Sequence, residues 1–154
     1  MRITPAYTVE HFETIEALAR RIVPEFYGQL IPPSCCAYLL QGYTSAAMEA
    51  QVLQGYRHYL VEVERRPVGC FALHEEERTM VLTQFYLLQE FRRRGLGQAV
   101  MDFVHEQAAE LRADRIELLV LRKNDGAVGL YRKNGYFIAA EVLTPMGEAM
   151  TVED

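Results

Sequence analysis

The run Arg92-Arg93-Arg94-Gly95-Leu96-Gly97 is the stretch of this chain best suited to chemistry. It follows the apolar run Phe85-Tyr86-Leu87-Leu88 and leads into a helical pattern that begins at Leu96. A turn there leaves the first N–H groups of the helix without intrahelical partners, and two glycines keep Cβ atoms out of a ligand's way. Those amides and the helix dipole favour an anion, and phosphate fits them well. Three arginines add positive charge where a polyphosphate would lie. Two familiar phosphate turns are excluded. A dinucleotide-binding turn needs Gly or Ala three residues after its second glycine, and that position is Val100. A P-loop needs Lys and then Ser or Thr after its last glycine, and here Gln98 and Ala99 follow Gly97. Taken alone, the turn is also compatible with an ordinary strand–helix corner.

The elements around the turn follow from pattern. Arg2–Tyr7 reads as a short strand, and Thr8 can cap a helix with Phe12, Ile15, Leu18, Ala19 and Ile22 on one face. Pro24 interrupts that helix, Glu25–Leu30 can restart a turn, and Pro32-Pro33 marks a break. Cys36–Leu40 and Ser45–Leu53 read as short helices, with Gly42 and Gly55 at their ends. Tyr56–Glu64, Val68–His74 and Thr79–Leu88 form an antiparallel meander. Its turns are Arg65-Arg66-Pro67 and Glu75-Glu76-Glu77. In the first of these strands Tyr59, Val61 and Val63 alternate with His58, Glu62 and Glu64.

Leu96–Leu111 is the clearest helix, with Leu96, Val100, Phe103, Val104 and Leu111 inward and Gln98, Asp102, Glu106 and Glu110 toward water. Arg115–Leu121 is apolar enough for a buried strand. Asn124 or Asp125 caps a last helix that runs to about Lys133 and ends at Asn134-Gly135. Tyr136–Leu143 is a strand, Pro145-Met146-Gly147 a turn, and Ala149–Val152 an edge strand.

With 154 residues the chain is expected to be a single domain over 1–154. Half of its residues are hydrophobic, which argues against disorder. The net charge of -5 argues against nucleic acid as a partner. No apolar run reaches membrane-spanning length, so no membrane is expected. The cysteines, Cys35, Cys36 and Cys70, are odd in number and form no C-x-x-C pair, which suggests a reducing cytoplasm. His11, His58, His74 and His105 are scattered without ligand spacing, so no metal is expected.

A second block, Asn124, Ala127, Leu130-Tyr131 and Gly135-Tyr136, follows the turn. Together the two blocks resemble the GNAT superfamily of acyl-CoA-dependent N-acyltransferases. The family's turn is Arg or Gln, two residues, Gly, one residue, Gly or Ala. Its second block is Asn, two residues, Ala, two residues, Leu-Tyr, then a basic stretch and Gly-Phe or Gly-Tyr. Gln89 departs from the family, which commonly has Pro there.

The resemblance implies a mixed α/β fold of the α+β type. It would have a central sheet of about six or seven strands, splayed in the middle and flanked by about four helices. It also implies an N-acetyltransferase that moves an acetyl group from acetyl-CoA to a primary amine by direct attack in a ternary complex. By that implication Arg94, Gly95, Leu96, Gly97 and Gln98 cradle the pyrophosphate, with the Arg92 and Arg93 side chains close by. The Leu87 backbone pairs with pantetheine, and the Phe85 N–H faces the oxyanion. Asn124 touches pantetheine or caps its helix, and the Tyr131 hydroxyl protonates the leaving thiolate.

The general base stays open, with His74, Glu75, Glu76 and Glu77 as candidates. The acceptor also stays open among a polyamine, another small-molecule amine, an amino acid and a protein amine. A homodimer is a further open point. A non-catalytic acyl-CoA sensor on the same fold and a nucleotide-binding regulator are the competing readings.

Overall fold

The computed structural model describes residues 1–29, 31–144 and 147–153, with side chains described as far as Glu141. Strand β1 (Arg2–Pro5) leads to helix α1 (Val9–Ile22), which Thr8 caps as its sequence suggests. The Thr8 hydroxyl accepts from the His11 amide at 3.1 Å, and His11 Nδ1 accepts in return from the Thr8 amide. This is a capping box closed by histidine.

Pro24 does not interrupt the helix. It lacks the N–H for the next bond, and the backbone widens into one π-helical turn over Val23–Tyr27. Next come α2 (Pro33–Leu40), a 3-10 turn (Gln41–Tyr43) and α3 (Ser45–Leu53). Gly42 therefore sits inside the 3-10 turn, whereas Gly55, at φ 99°, does end α3. Leu30, the end of the expected turn after Pro24, lies outside the described residues.

The meander is β2 (Arg57–Val63), β3 (Arg66–Glu76) and β4 (Thr79–Leu87), antiparallel throughout. Its turns are tighter than the charge runs suggest. Glu64 and Arg65 both take positive φ, as a two-residue hairpin turn requires, so Arg66 and Pro67 already belong to β3. Glu75 and Glu76 are likewise strand residues. Then follow α4 (Leu96–Glu110), β5 (Arg115–Leu121), α5 (Asp125–Lys133), β6 (Phe137–Thr144) and β7 (Gly147–Glu153).

The seven strands form one mixed sheet in the order β1-β2-β3-β4-β5-β7-β6. The last strand is thus no edge strand, because β7 inserts between β5 and β6 and leaves β6 outermost. Pro145 and Met146 of the expected turn lie outside the described residues.

Helices cover both faces of the meander. Phe12 of α1 packs edge-on against His58, and Phe103 of α4 packs against Tyr59 and Phe71 on the opposite face. Both alternating sets of β2 are therefore buried, His58 included, although its alternation suggests a wet face. Leu111 is exposed because α4 stops at Glu110 and the chain leaves the helical register.

The pairing of β4 with β5 shapes the site. It is parallel and short: Thr79–Leu82 against Arg115–Leu118. Beyond Leu82 the two strands separate, which is the expected splay in the middle of the sheet.

Candidate active site

The gap between the diverging strands is a cleft of about 1330 Å³. Leu119 and Leu121 of β5 line it, so this strand is not wholly buried as its composition suggests. Leu119 is 51% exposed. A bulge reshapes the other bank. Gln84 takes φ 56°, and the β3–β4 register slips between Cys70 and Ala72, so Gln84 and Phe85 together oppose Phe71.

After the bulge, Leu88 donates its amide to Val68 O at 2.8 Å, toward β3. By the two-residue period of a strand, the main-chain groups of Leu87 and Phe85 turn the other way, into the cleft. Gly69 allows this bank to lie close to β3, since a Cβ there would meet Tyr86 O and Leu87 Cδ2 at 2.5 Å.

The arginine–glycine turn closes one end of the cleft. Gly95 caps α4 at φ 80°, and the first helical bond runs from Ala99 N to Gly95 O. The amides of Leu96, Gly97 and Gln98 precede that bond and are the unpaired N–H groups of a helix start. Arg92, Arg93, Gly95, Gly97 and Gln98 line the cleft. Arg94 and Leu96 do not. The Arg94 guanidinium lies 5.2 Å from the Phe91 ring centre, and the Leu96 side chain is buried in the core.

Gly97 has a second role: a Cβ there would meet Leu130 of α5 at 3.2 Å. Next to it the Gln98 and Asn134 amides pair reciprocally at 2.8 and 3.0 Å, tying the start of α4 to the end of α5. Sequence reasoning missed that pair, having placed Gln98 toward water. It also missed the bulge.

On the α5 bank, the Asn124 side chain caps the helix by accepting from Ala127 N at 3.3 Å, and Asn124 also lines the cleft. Tyr131 lines it too, yet is only 7% exposed, and burial raises its pKa above the ordinary tyrosine value. The hydroxyl therefore stays protonated and can donate.

Opposite stand Tyr27, Tyr43 and Tyr86, with the Tyr86 ring edge-on to both others at 5.5 Å. Burial raises the pKa of all three. The π-helical turn positions Tyr27, a placement that composition does not reveal.

His74 and Glu75–Glu77 are not brought to the cleft. They stand toward the hairpin end of β4, where His74 pairs with Val81 and Glu76 with Thr79, roughly 10–16 Å along the strand from Gln84 at ~3.3 Å per residue. Arg57 binds both oxygens of Glu75, at 2.8 and 2.7 Å, and holds that carboxyl below the usual range. His74 stacks on Tyr56 with ring centres 4.2 Å apart. Among the described residues no cluster of three His, Cys, Asp or Glu is placed to hold a metal, and no helix is long and apolar enough to cross a membrane.

A splayed parallel strand pair, with a glycine turn at one end and a buried tyrosine across the gap, is the arrangement that the two sequence blocks imply for an acyl-CoA-dependent transferase. The profile of the acetyltransferase (GNAT) family matches residues 23–136, and the chain belongs to that family of acyltransferase enzymes.

Among relatives, the N-acetyltransferase YdgE of Bacillus subtilis (strain 168) is 39% identical over 64 residues. That segment spans 42% of this chain and 40% of the relative. The PaiA N-acetyltransferase of Thermoplasma acidophilum, solved in complex with coenzyme A, superposes with a TM-score of 0.83 at 16% identity. It covers 100% of this chain and 99% of that one. The ribosomal-protein-S18-alanine N-acetyltransferase of Escherichia coli superposes at 0.76 and 13% identity, covering 99% and 91%. At such identities the structural likeness shows the fold alone.

Proposed function

We propose that residues 1–154 form a single-domain N-acetyltransferase. It moves an acetyl group from acetyl-CoA to a primary amine by direct attack within a ternary complex. One observation carries the reading: a helix-start anion cradle, a strand edge that has lost its β5 partner and a buried, protonated tyrosine share one cleft. Acetyl-CoA supplies the activated carbonyl and a thiolate leaving group. The amides of Gly97 and Gln98 bind its pyrophosphate, with Gly95 shaping the turn and Arg93 adding charge. The edge of Leu87 pairs with the pantetheine amides as an added strand would.

The amine nitrogen attacks the thioester carbon, and the Phe85 N–H stabilises the oxyanion that forms. The nitrogen gives its proton to the medium, the C–S bond breaks to release the amide, and the departing thiolate takes up a proton from the medium. Tyr131 donates a hydrogen bond to the departing sulfur. Its pKa lies above the ~8.5 of a thiol, so sharing the proton contributes more than transferring it. Asn124 fixes the start of α5 and thereby the place of Tyr131. The acceptor is a small-molecule or protein amine. His74 and Glu75–Glu77 have no part in this scheme, given their distance from the cleft.

Release of free thiol from acetyl-CoA across a panel of primary amines tests the reading. At least one amine is expected to accelerate it, with ternary-complex kinetics. Acetyl-CoA at 100 times its Kd should also stabilise the fold by about 2.7 kcal/mol, and Gly97→Glu should abolish this. Stabilisation without thiol release for any amine would replace the reading with a non-catalytic acyl-CoA sensor.

A further inference from the structure

Arg92 opens the cofactor turn, where its charge reads as a phosphate contact, but its side chain is engaged elsewhere. Nε donates to the Leu87 carbonyl at 3.0 Å, and the guanidinium carbon stands 4.4 Å from the centre of the Phe26 ring. The residue is half-buried in this position. Leu87 O is one of the groups that the splay turns into the cleft. A carbonyl has two lone pairs, so the bond to Arg92 orients it and still leaves one acceptor position. Phe26 belongs to the π-helical turn that also carries Tyr27, across the cleft mouth from β4. The guanidinium therefore ties the strand edge to the wall beside it, with one edge on the carbonyl and one face on the ring.

Resting on the cofactor reading above, we propose that Arg92 is a positioning residue. It is a latch that fixes the Leu87 carbonyl for pairing with pantetheine and couples it to the Phe26 wall. A phosphate contact and a latch make different demands. The first needs positive charge within reach of the pyrophosphate and is indifferent to Phe26. The second needs the ring, and it acts on the pantetheine arm rather than on the nucleotide.

Calorimetric titration with two probes separates them: acetyl-CoA, and adenosine 3′-phosphate 5′-diphosphate, which carries the pyrophosphate but no pantetheine. Arg92→Gln is expected to weaken acetyl-CoA about tenfold, as loss of a charged hydrogen-bond donor does, and to change the nucleotide less than twofold. Phe26→Leu keeps every charge and should reproduce the selective loss at about threefold. The double variant should lose no more than Arg92→Gln alone.

Equal weakening of both probes by Arg92→Gln would overturn the latch in favour of a phosphate contact. So would a folded Phe26→Leu variant with wild-type affinity for acetyl-CoA. If Phe26→Leu does not fold, the two affinities of Arg92→Gln decide alone. A wild-type protein that binds neither probe would overturn the cofactor reading itself.

Discussion

From Thr79 to Leu82, β4 is hydrogen-bonded on both sides, to β3 and to β5, and its side chains alternate between half-buried and buried. From Thr83 to Leu87 it keeps β3 and loses β5, and every side chain is half-buried. The amino acids of the two halves are much alike; the partners differ. The first half is core, where side chains carry the energy. In the second, main-chain groups have lost a neighbour that water or a ligand must replace. A single strand thus changes from support to open edge around the bulge of Gln84. Substitutions in the first half should cost stability, and those around the second should cost ligand or rate.

The largest effect on folding belongs to the closed half. Met80 is fully buried, and Met80→Ala should destabilise the protein by about 2–5 kcal/mol in urea titration. Acetyl-CoA affinity of the folded fraction should hardly change. A large loss of affinity at normal stability would mean that the two halves are not separable.

Tyr131→Phe faces the open half and should reverse that pattern. It removes one oxygen and leaves the ring, so melting temperature should move little. Turnover at saturating acetyl-CoA should fall by ~10²-fold, the order expected when a preorganised hydrogen-bond donor to developing charge is lost. Normal turnover in a folded variant would remove the hydroxyl from the mechanism.

A third effect is set by pH and lies away from the cleft. His58 is buried under Phe12 with Nε2 unpartnered, and burial lowers its pKa from 6.5 to about 4. The folded form therefore binds this proton more weakly than the unfolded chain does. Its contribution is complete above the unfolded value near 6.5 and is lost as pH falls toward 4. The depression corresponds to about 3 kcal/mol in total, of which about 2 should be gone by pH 5. His58→Leu should flatten the stability curve between pH 7 and 5. An unchanged slope would show that other groups dominate.

The smallest effect is at the bulge. Gln84→Gly relieves a left-handed conformation that costs roughly 1 kcal/mol in a residue with a Cβ, so stability should hold or rise slightly. Thr83→Gly, one residue earlier in ordinary strand geometry, should lose about 0.5–1 kcal/mol. Equal losses at both positions would deny the bulge its special backbone.

Local signals were readable in the sequence. Thr8 and Asn124 cap their helices, and β5 spans Arg115–Leu121 as the apolar run indicates. The glycine turn also stands at the start of α4. These depend on neighbours a few residues away. What was not readable depends on distant partners. Gln84 is forced to positive φ by register against β3, not by its own propensity. His58 looks like an outward residue until a helix covers each face. Arg92 reads as a free charge in its basic run, and only the fold brings Leu87 O and Phe26 to it. The acidic hairpin adjoins β4 in sequence, yet strand length carries it away from the cleft.

The insertion of β7 between β5 and β6 has a consequence for how the protein is made. β5 leaves the ribosome well before the strand that will flank it. At ~5–20 residues per second its far edge waits on the order of seconds. Through that interval the run Leu118–Leu121, which β7 later covers, offers an apolar row of unpaired N–H and C=O groups on which another nascent chain can dock. A frameshift or nonsense change ahead of Gly147 would make the wait permanent. The expected phenotype of such an allele is insoluble protein rather than a soluble, inactive one.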